Sequence, residues 1–290
     1  MQQIFLDIDG CLISSKKEKR HYYESLDLLS RLIELGNEGK MPLIAFCTGR
    51  DRNYVECLAN ALGNPKSWSV IESGVAFFQT STKEMIMNPD LDLGIKKNFQ
   101  EMSIFVREML RLKFPQLCFY PGNQMNIAIE IAPGQTGSIE DHFQPFMEEL
   151  KRFFGKDMDN CYTTHSDVAI DISPKGINKG TGLQTLAKIK NIELSLSVGV
   201  GDSSGDIAFL SLLEKIGCPK NASPDCKELV KSKMGIVSEY DYAAGVVDIL
   251  LRSLRSEEIG QTAKEWMTQY KGAAEVVENV YFPYFSSIKA

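Results

Sequence analysis

At 290 residues, with 43% hydrophobic and 24% charged side chains, the chain has the make-up of a globular protein with a sizeable core, and its length favours two domains. A net charge of −6 advertises no basic face and argues against a nucleic-acid partner. An anionic small-molecule substrate is still compatible, because a metal ion and one or two placed lysines set the local field. The seven cysteines are scattered, odd in number and contain no C-x-x-C pair, which argues against a zinc knuckle or disulfide framework. The N-terminus has no basic segment and puts Asp7 where a signal peptide needs apolar residues, and no apolar run is long enough to span a bilayer. The expectation is a cytoplasmic protein that uses neither membrane nor nucleic acid, as monomer or homodimer.

In chain order, apolar runs and helical periodicity predict a strand over 4–8, a Lys-rich loop over 14–20, a helix over 22–35 and a buried strand over 42–46. A helix over 53–62 and a strand over 69–71 follow, the latter leading into Glu72-Ser73-Gly74. Such alternation implies a parallel sheet with both faces covered. From about Phe78 the pattern changes: a hairpin-like pair, a helix over 98–113, strands over 117–120 and 125–131, a helix over 139–154 and a strand over 167–172. This stretch reads as an α+β insert. Near Lys179 the first rhythm resumes, with helices over 180–189, 206–213, 225–232 and 243–254 and strands over 195–200, 215–218 and near Ile236. The tail, 256–290, is helix-like and then aromatic, Tyr281-Phe282-Pro283-Tyr284-Phe285. The predicted class is α/β: a doubly wound, mostly parallel Rossmann-like core sheet with an inserted α+β cap. Its boundaries are 1–77 and 175–290 for the core and 78–174 for the cap.

Chemistry concentrates where strands end. Ile4-Phe5-Leu6 runs into Asp7-Ile8-Asp9-Gly10, and in an extended chain Asp7 and Asp9 point to one side. Two carboxylates that close need a cation or a shared proton, so the pair suggests a metal site or acid/base chemistry. A surface turn would use the same residues, and the tetrapeptide alone does not separate the two. Gly201-Asp202-Ser203-Ser204-Gly205-Asp206 also follows an apolar strand, although each aspartate alone would serve as a helix cap. The carboxyl ends of parallel strands share one edge, where ligands bind. Asp7, Asp9, Thr48, Asp202 and Asp206 can therefore converge, and hard oxygen ligands with open positions suit Mg²⁺. Thr48 and Gly49 offer a hydroxyl and backbone N–H groups to a phosphate, and Lys179 at a helix start offers a cation. The glycines of Val198-Gly199-Val200-Gly201 lie within a strand and so do not form a dinucleotide loop.

Asp7-x-Asp9-Gly10, Thr48-Gly49-Arg50, Lys179-Gly180 and Gly201-Asp202-(x)₃-Asp206 resemble, in order, the four motifs of the haloacid dehalogenase superfamily of phosphohydrolases. The insert is similar to the cap of its Cof-like, type IIB branch, which holds sucrose-phosphate phosphatases, mannosyl-3-phosphoglycerate phosphatases and phosphomannomutases. The resemblance implies Asp7 as nucleophile and Asp9 as acid and then base. It implies Thr48, Gly49 and Lys179 around the phosphoryl group. Mg²⁺ would be held by Asp7, the Asp9 carbonyl and Asp202, with Asp206 a further ligand or the group that orients Lys179. Cys11 stands where many relatives have Thr or Val, and Gly205 where many have Asn; Cys11 reads as a small buried filler.

Specificity is expected from the cap. Candidate substrate contacts are Arg50, Asn126, Lys175 and Asn221, with Asn123, Gln124, Glu130 and His165 as further polar groups near cap strands. The implied activity is hydrolysis of a small phosphomonoester, a sugar phosphate or derivative, through an aspartyl phosphate. The alternatives are a phosphosugar mutase and a non-catalytic binding protein of the same fold.

Overall fold

The computed structural model describes residues 1–14, 21–165, 169–254 and 256–269. Strand β1 (Gln3–Leu6) is buried along its whole length. It is followed by α1 (His21–Asn37), β2 (Leu43–Phe46), α2 (Arg52–Ala61) and β3 (Trp68–Ile71). A tight turn at Glu72–Gly74 leads to β4 (Ala76–Gln79) and β5 (Glu84–Met87). The insert then contributes α3 (Leu93–Lys113), β6 (Leu117–Phe119), β7 (Ile127–Ile131), α4 (Ile139–Phe154), β8 (Cys161–His165) and β9 (Ala169–Pro174). The chain returns through α5 (Lys179–Lys190), β10 (Val198–Val200), α6 (Ile207–Leu210), β11 (Lys215–Cys218), α7 (Pro224–Ser232), β12 (Ile236–Val237), α8 (Tyr242–Ser253) and α9 (Glu257–Gln269).

The core sheet is parallel, in the order β12-β11-β10-β1-β2, and a parallel bridge between Cys47 and Val70 sets β3 beside β2. Alternation along β1 decides which helices cover which face. Ile4 and Leu6 pack with Leu28, Leu32 and Val246 from α1 and α8, together with Trp266 of α9. Phe5 points the other way, into Leu183 and Leu186 of α5, Phe209 of α6 and Val230 of α7. Burial on both faces explains why β1 reads as an unbroken apolar run. Full burial of such a side chain is worth about 1.5–3 kcal/mol. Register then positions the site: Leu6 pairs with both Phe46 and Val200, so β1, β2 and β10 end in step. The residues that follow them share one edge.

The insert forms an antiparallel sheet in the order β6-β7-β9-β8. Ile127, Ile129, Ile170 and Ile172 face Phe99, Met102, Val106, Phe146 and Leu150 of α3 and α4. Its helices are bounded by local chemistry: Asp92 and Ser138 cap the N-termini of α3 and α4, and Gly155 ends α4 at positive φ.

Several elements differ from the sequence expectation. The strand predicted over 4–8 ends at Leu6, because Leu12 and Ile13 N–H donate to the Ile8 carbonyl and fold the chain back. The hairpin assigned to the insert pairs with β3, and Phe77, Phe78, Met85 and Met87 pack in the core clusters, so it extends the core side. Strand β8 was unexpected: Cys-Tyr-Thr-Thr-His at a sheet edge keeps no apolar alternation. The helix predicted over 206–213 shrinks to four residues after a short 3₁₀ turn. Most of the Lys-rich loop, the start of the strand predicted at Asp167, and the aromatic run Tyr281–Phe285 lie outside the described residues.

Candidate active site

Asp7 follows β1 directly, donates its N–H to the Val200 carbonyl at 2.9 Å and is only 3% exposed. Its Oδ1 accepts from Lys179 Nζ at 2.6 Å, and the same ammonium donates to Asp206 Oδ1 at 2.6 Å. Lys179 is the first residue of α5, fixed by a capping box in which Asn178 Oδ1 accepts from Gly180 and Thr181 N–H. A cap rather than a flexible linker thus aims the lysine. Burial pushes Asp7 well above the usual carboxylate range, reinforced by Asp206 and opposed by Lys179. Burial works against the charge on Lys179, but Asp206 and Asp7 outweigh it and hold the ammonium well above its ordinary range.

Asp206 is fully buried and both of its oxygens are engaged. Oδ2 accepts from the N–H groups of Asp202 and Ser203 and from the Ser203 hydroxyl, while Oδ1 faces Lys179. It therefore positions Lys179 and the loop after β10, which is the second of the two roles expected for it.

The donors that do approach one another are Asp7, Cys11 and Asp202, whose ligand atoms lie within 4.8 Å of each other. Gly10 makes this possible: at φ +81° it carries the chain past Asp202, and a Cβ there would lie 2.1 Å from the Asp202 carboxylate. Burial first, then Asp206, pushes Asp202 up to about 7. Two partly or fully buried carboxylates with raised pKa values lie side by side, and the nearby lysine is paired with Asp7 and Asp206 and not with Asp202, so they form a set that a hard divalent cation relieves. This donor set fits Mg²⁺ at Asp7 and Asp202. Cys11 donates its S–H toward Asp202 Oδ1 at 3.8 Å, and burial with the carboxylates beside it keeps the thiol protonated, so it is no second nucleophile.

Asp9 does not share the cation of Asp7. Because the extended chain ends at Leu6, Asp9 turns out to the surface, where Arg50 grips it with two bonds of 2.7 Å from Nε and Nη2. Arg50 also lies over the rings of Tyr54 and Tyr120 and has Nη1 3.9 Å from Glu130 Oε1 on the cap. Thr48 is fully buried after β2 and its Oγ1 accepts from Arg50 N–H at 3.1 Å, which leaves the hydroxyl proton to be donated. Gly49 follows it at the cleft, 3.3 Å from the Ser73 hydroxyl measured from an added Cβ.

The other candidates separate. Asn221 is tied at both ends of its amide, donating to the Gly10 carbonyl and accepting from Tyr242 N–H, each at 2.8 Å; it braces the turn after β1 instead of facing a substrate. Lys175 sits on an exposed turn whose N–H donates to Asn160. His165 pairs with Glu140 at 2.6 Å and stacks on Phe143 within the cap. Asn126 is buried at the junction of the two layers, beside Asn123 and Gln124.

That junction holds residues that sequence reasoning missed. Glu72 (φ +46°) and Ser73 (φ +55°) are left-handed, and Gly74 at φ +104° packs so closely that a Cβ would lie 2.4 Å from the Asn178 carbonyl. The turn drives the Glu72 carboxylate under the cap, where it accepts from Gln124, Met125 and Asn126 N–H at 2.9–3.3 Å. Tyr120 of the cap donates to Asp51 Oδ2 at 2.7 Å, while Asp51 Oδ1 caps α2. The glycine after Glu72-Ser73 is the one visible signal; nothing local marks Tyr120 or Asp171 of the cap.

The family model of haloacid dehalogenase-like hydrolases matches residues 72–250. Among solved structures, Thermoplasma acidophilum 0175 gives a TM-score of 0.60 at 17% identity, over 87% of this chain and 97% of its own. Sucrose-phosphatase from Synechocystis sp. PCC6803, solved with sucrose and phosphate, gives 0.56 at 19% identity, over 87% and 98%. A haloacid dehalogenase-like hydrolase from B. subtilis gives 0.59 at 18% identity, over 88% and 100%. At these identities the likeness is one of fold. No curated protein matches the chain. The family match runs from the strained turn at Glu72 into α8 and takes in more than half of the residues, so the chain belongs to the haloacid dehalogenase-like hydrolases, enzymes that its catalytic edge and capped fold suit.

Proposed function

We propose that the protein is a Mg²⁺-dependent phosphatase that hydrolyses a small phosphomonoester, a sugar phosphate, through a phosphoryl group carried on Asp7. The observation that carries this reading is the buried Lys179 ammonium bridging Asp7 and Asp206 at 2.6 Å, at the edge where parallel strands end. One oxygen of Asp7 is held by Lys179, and the other attacks phosphorus. Lys179, the Thr48 hydroxyl and the backbone N–H of Gly49 are available to the oxygens of the transferring group, whose stabilisation is mainly electrostatic. Mg²⁺ held by Asp7 and Asp202 supplies positive charge that offsets the repulsion between nucleophile and phosphate.

Asp9 protonates the leaving oxygen as the ester bond breaks, and then takes a proton from the water that attacks the phosphoryl group on Asp7. Its carboxylate is locked to Arg50, so the Arg50 fork opens before Asp9 acts. Sucrose-phosphatase, similar in fold, was solved with sucrose and phosphate, which supports a sugar phosphate here. The odd number and scatter of the cysteines suit a reducing cytoplasm, and no helix among the described residues is long and apolar enough to cross a membrane.

Rapid acid quench of the Asp9→Asn variant with substrate tests the pathway. One phosphoryl group on the peptide containing Asp7, released by hydroxylamine, is expected to accumulate. With p-nitrophenyl phosphate as substrate, whose leaving group needs no proton from residue 9, its absence while the variant still releases the phenol would mean that water attacks the ester directly.

A further inference from the structure

The cap sheet has one face covered by α3 and α4 and a second face turned to the core. Alternation sends Ile127, Ile129 and Ile131 toward the helices and puts Asn126, Ala128 and Glu130 on the opposite side. Ala128 is directly opposite Asp171 in β9, and Ile170 and Ile172 on either side of Asp171 are fully buried in the cap interior. Asp171 therefore shares the face of Glu130. That this face looks onto the active site follows from Glu130 Oε1, 3.9 Å from the same Arg50 that grips Asp9.

The groups on this face accept hydrogen bonds. Glu130 and Asp171 are carboxylates, and Arg50, the cation beside them, is already committed to Asp9 by two 2.7 Å bonds. Burial, and then the Glu130 charge, pushes Asp171 up to about 6, in keeping with acceptors that lack sufficient donors. Independently, Asn126 is 2% exposed and its Oδ1 has no hydrogen-bond partner among the described residues. A buried amide oxygen without a donor is rare in a folded protein, and here it continues the row that Glu130 belongs to.

Taking the phosphatase reading as its basis, we propose that Asn126, Glu130 and Asp171 read the leaving group, accepting hydrogen bonds from a polyhydroxylated, uncharged one and repelling one that bears a second anionic group. Three acceptors suit hydroxyl donors, and the cation shown beside them, Arg50, lies between two carboxylates, Asp9 and Glu130, so that Glu130 still faces it when the fork on Asp9 opens. A carboxylate or a second phosphate on the leaving group would instead meet two like charges across a closed cleft, a repulsive element that selects as effectively as an attractive one.

Phosphate release from three probes tests this: glucose 6-phosphate, 6-phosphogluconate (which adds a carboxylate to the same carbon chain) and acetyl phosphate, which has no hydroxyl to be read. The wild type is expected to favour glucose 6-phosphate over 6-phosphogluconate in kcat/KM by about tenfold or more, and the Glu130→Gln/Asp171→Asn double variant to narrow that ratio about tenfold. A ratio does not depend on how much of the variant is folded. Equal kcat/KM for the two sugar probes, or a ratio unmoved in the double variant, overturns the inference. Acetyl phosphate separates the two levels: its hydrolysis without discrimination between the sugars rejects the inference and keeps the phosphatase, whereas no release from any probe rejects both.

Discussion

Lys179 is the residue on which the site depends, because its single charge answers two buried carboxylates, Asp7 and Asp206. Asp202, next to them, is left without a cation of its own, and its behaviour with pH follows from that. Its folded-state pKa, about 7, lies above its unfolded value, so the folded protein binds this proton more tightly than the unfolded chain. In metal-free protein the Asp202 contribution to stability is therefore intact below about pH 4 and is lost as pH rises toward 7. Asp202→Asn is expected to flatten that part of the stability–pH profile, and Mg²⁺ to raise the wild-type Tm most near neutral pH. Thermal unfolding at several pH values with EDTA or Mg²⁺ checks this; a variant profile parallel to the wild type would contradict it. At this scale the sequence was informative where a residue ends a strand or opens a helix, as Asp7, Thr48, Lys179 and Asp202 do. It was silent on partners that depend on the turn: the chain folds back after Leu6, and Asp9 meets Arg50.

Among the elements, the turn at Glu72–Gly74 links the active-site edge to the cap. Left-handed Glu72 and Ser73 each cost of order 1 kcal/mol, a strain offset by the three N–H groups that the Glu72 carboxylate collects from the cap. Glu72→Gln keeps the size of the side chain but turns one acceptor into a donor facing those N–H groups. It is expected to cost about 1–3 kcal/mol and to raise hydrogen exchange at Gln124–Asn126. Unchanged exchange there, measured by mass spectrometry, would show that Glu72 is not the latch. Elements buried on both faces, such as β1 and β2, were legible because burial leaves an apolar run. Strand β8 was not, because an edge strand with mixed exposure needs no such pattern, and the hairpin β4–β5 gave its pairing but not its allegiance to β3. Periodicity reports how buried a strand is, not which neighbour it chooses.

Across the whole molecule, the parallel sheet supplies reacting groups from strand ends far apart in sequence, and the cap sheet supplies a face that looks down on them. The division of labour follows from the two sheets: helices on both sides leave the core only its edge, whereas helices on one side leave the cap a whole face. The α/β class and the capped architecture were legible in the alternation of periodic segments and in the four motifs. Contacts that bridge the two layers, Glu72 with the Gln124–Asn126 backbone and Tyr120 with Asp51, were not, because they depend on three-dimensional juxtaposition alone. The central claim is that Asp7, supported by Lys179 and a divalent cation, takes the phosphoryl group. Phosphate release from a broad panel of phosphomonoesters, with Mg²⁺ or EDTA, by wild type and Asp7→Asn tests it most directly. The account predicts release that requires Mg²⁺ and vanishes in a variant that is still folded; turnover at a near wild-type rate in Asp7→Asn would contradict it.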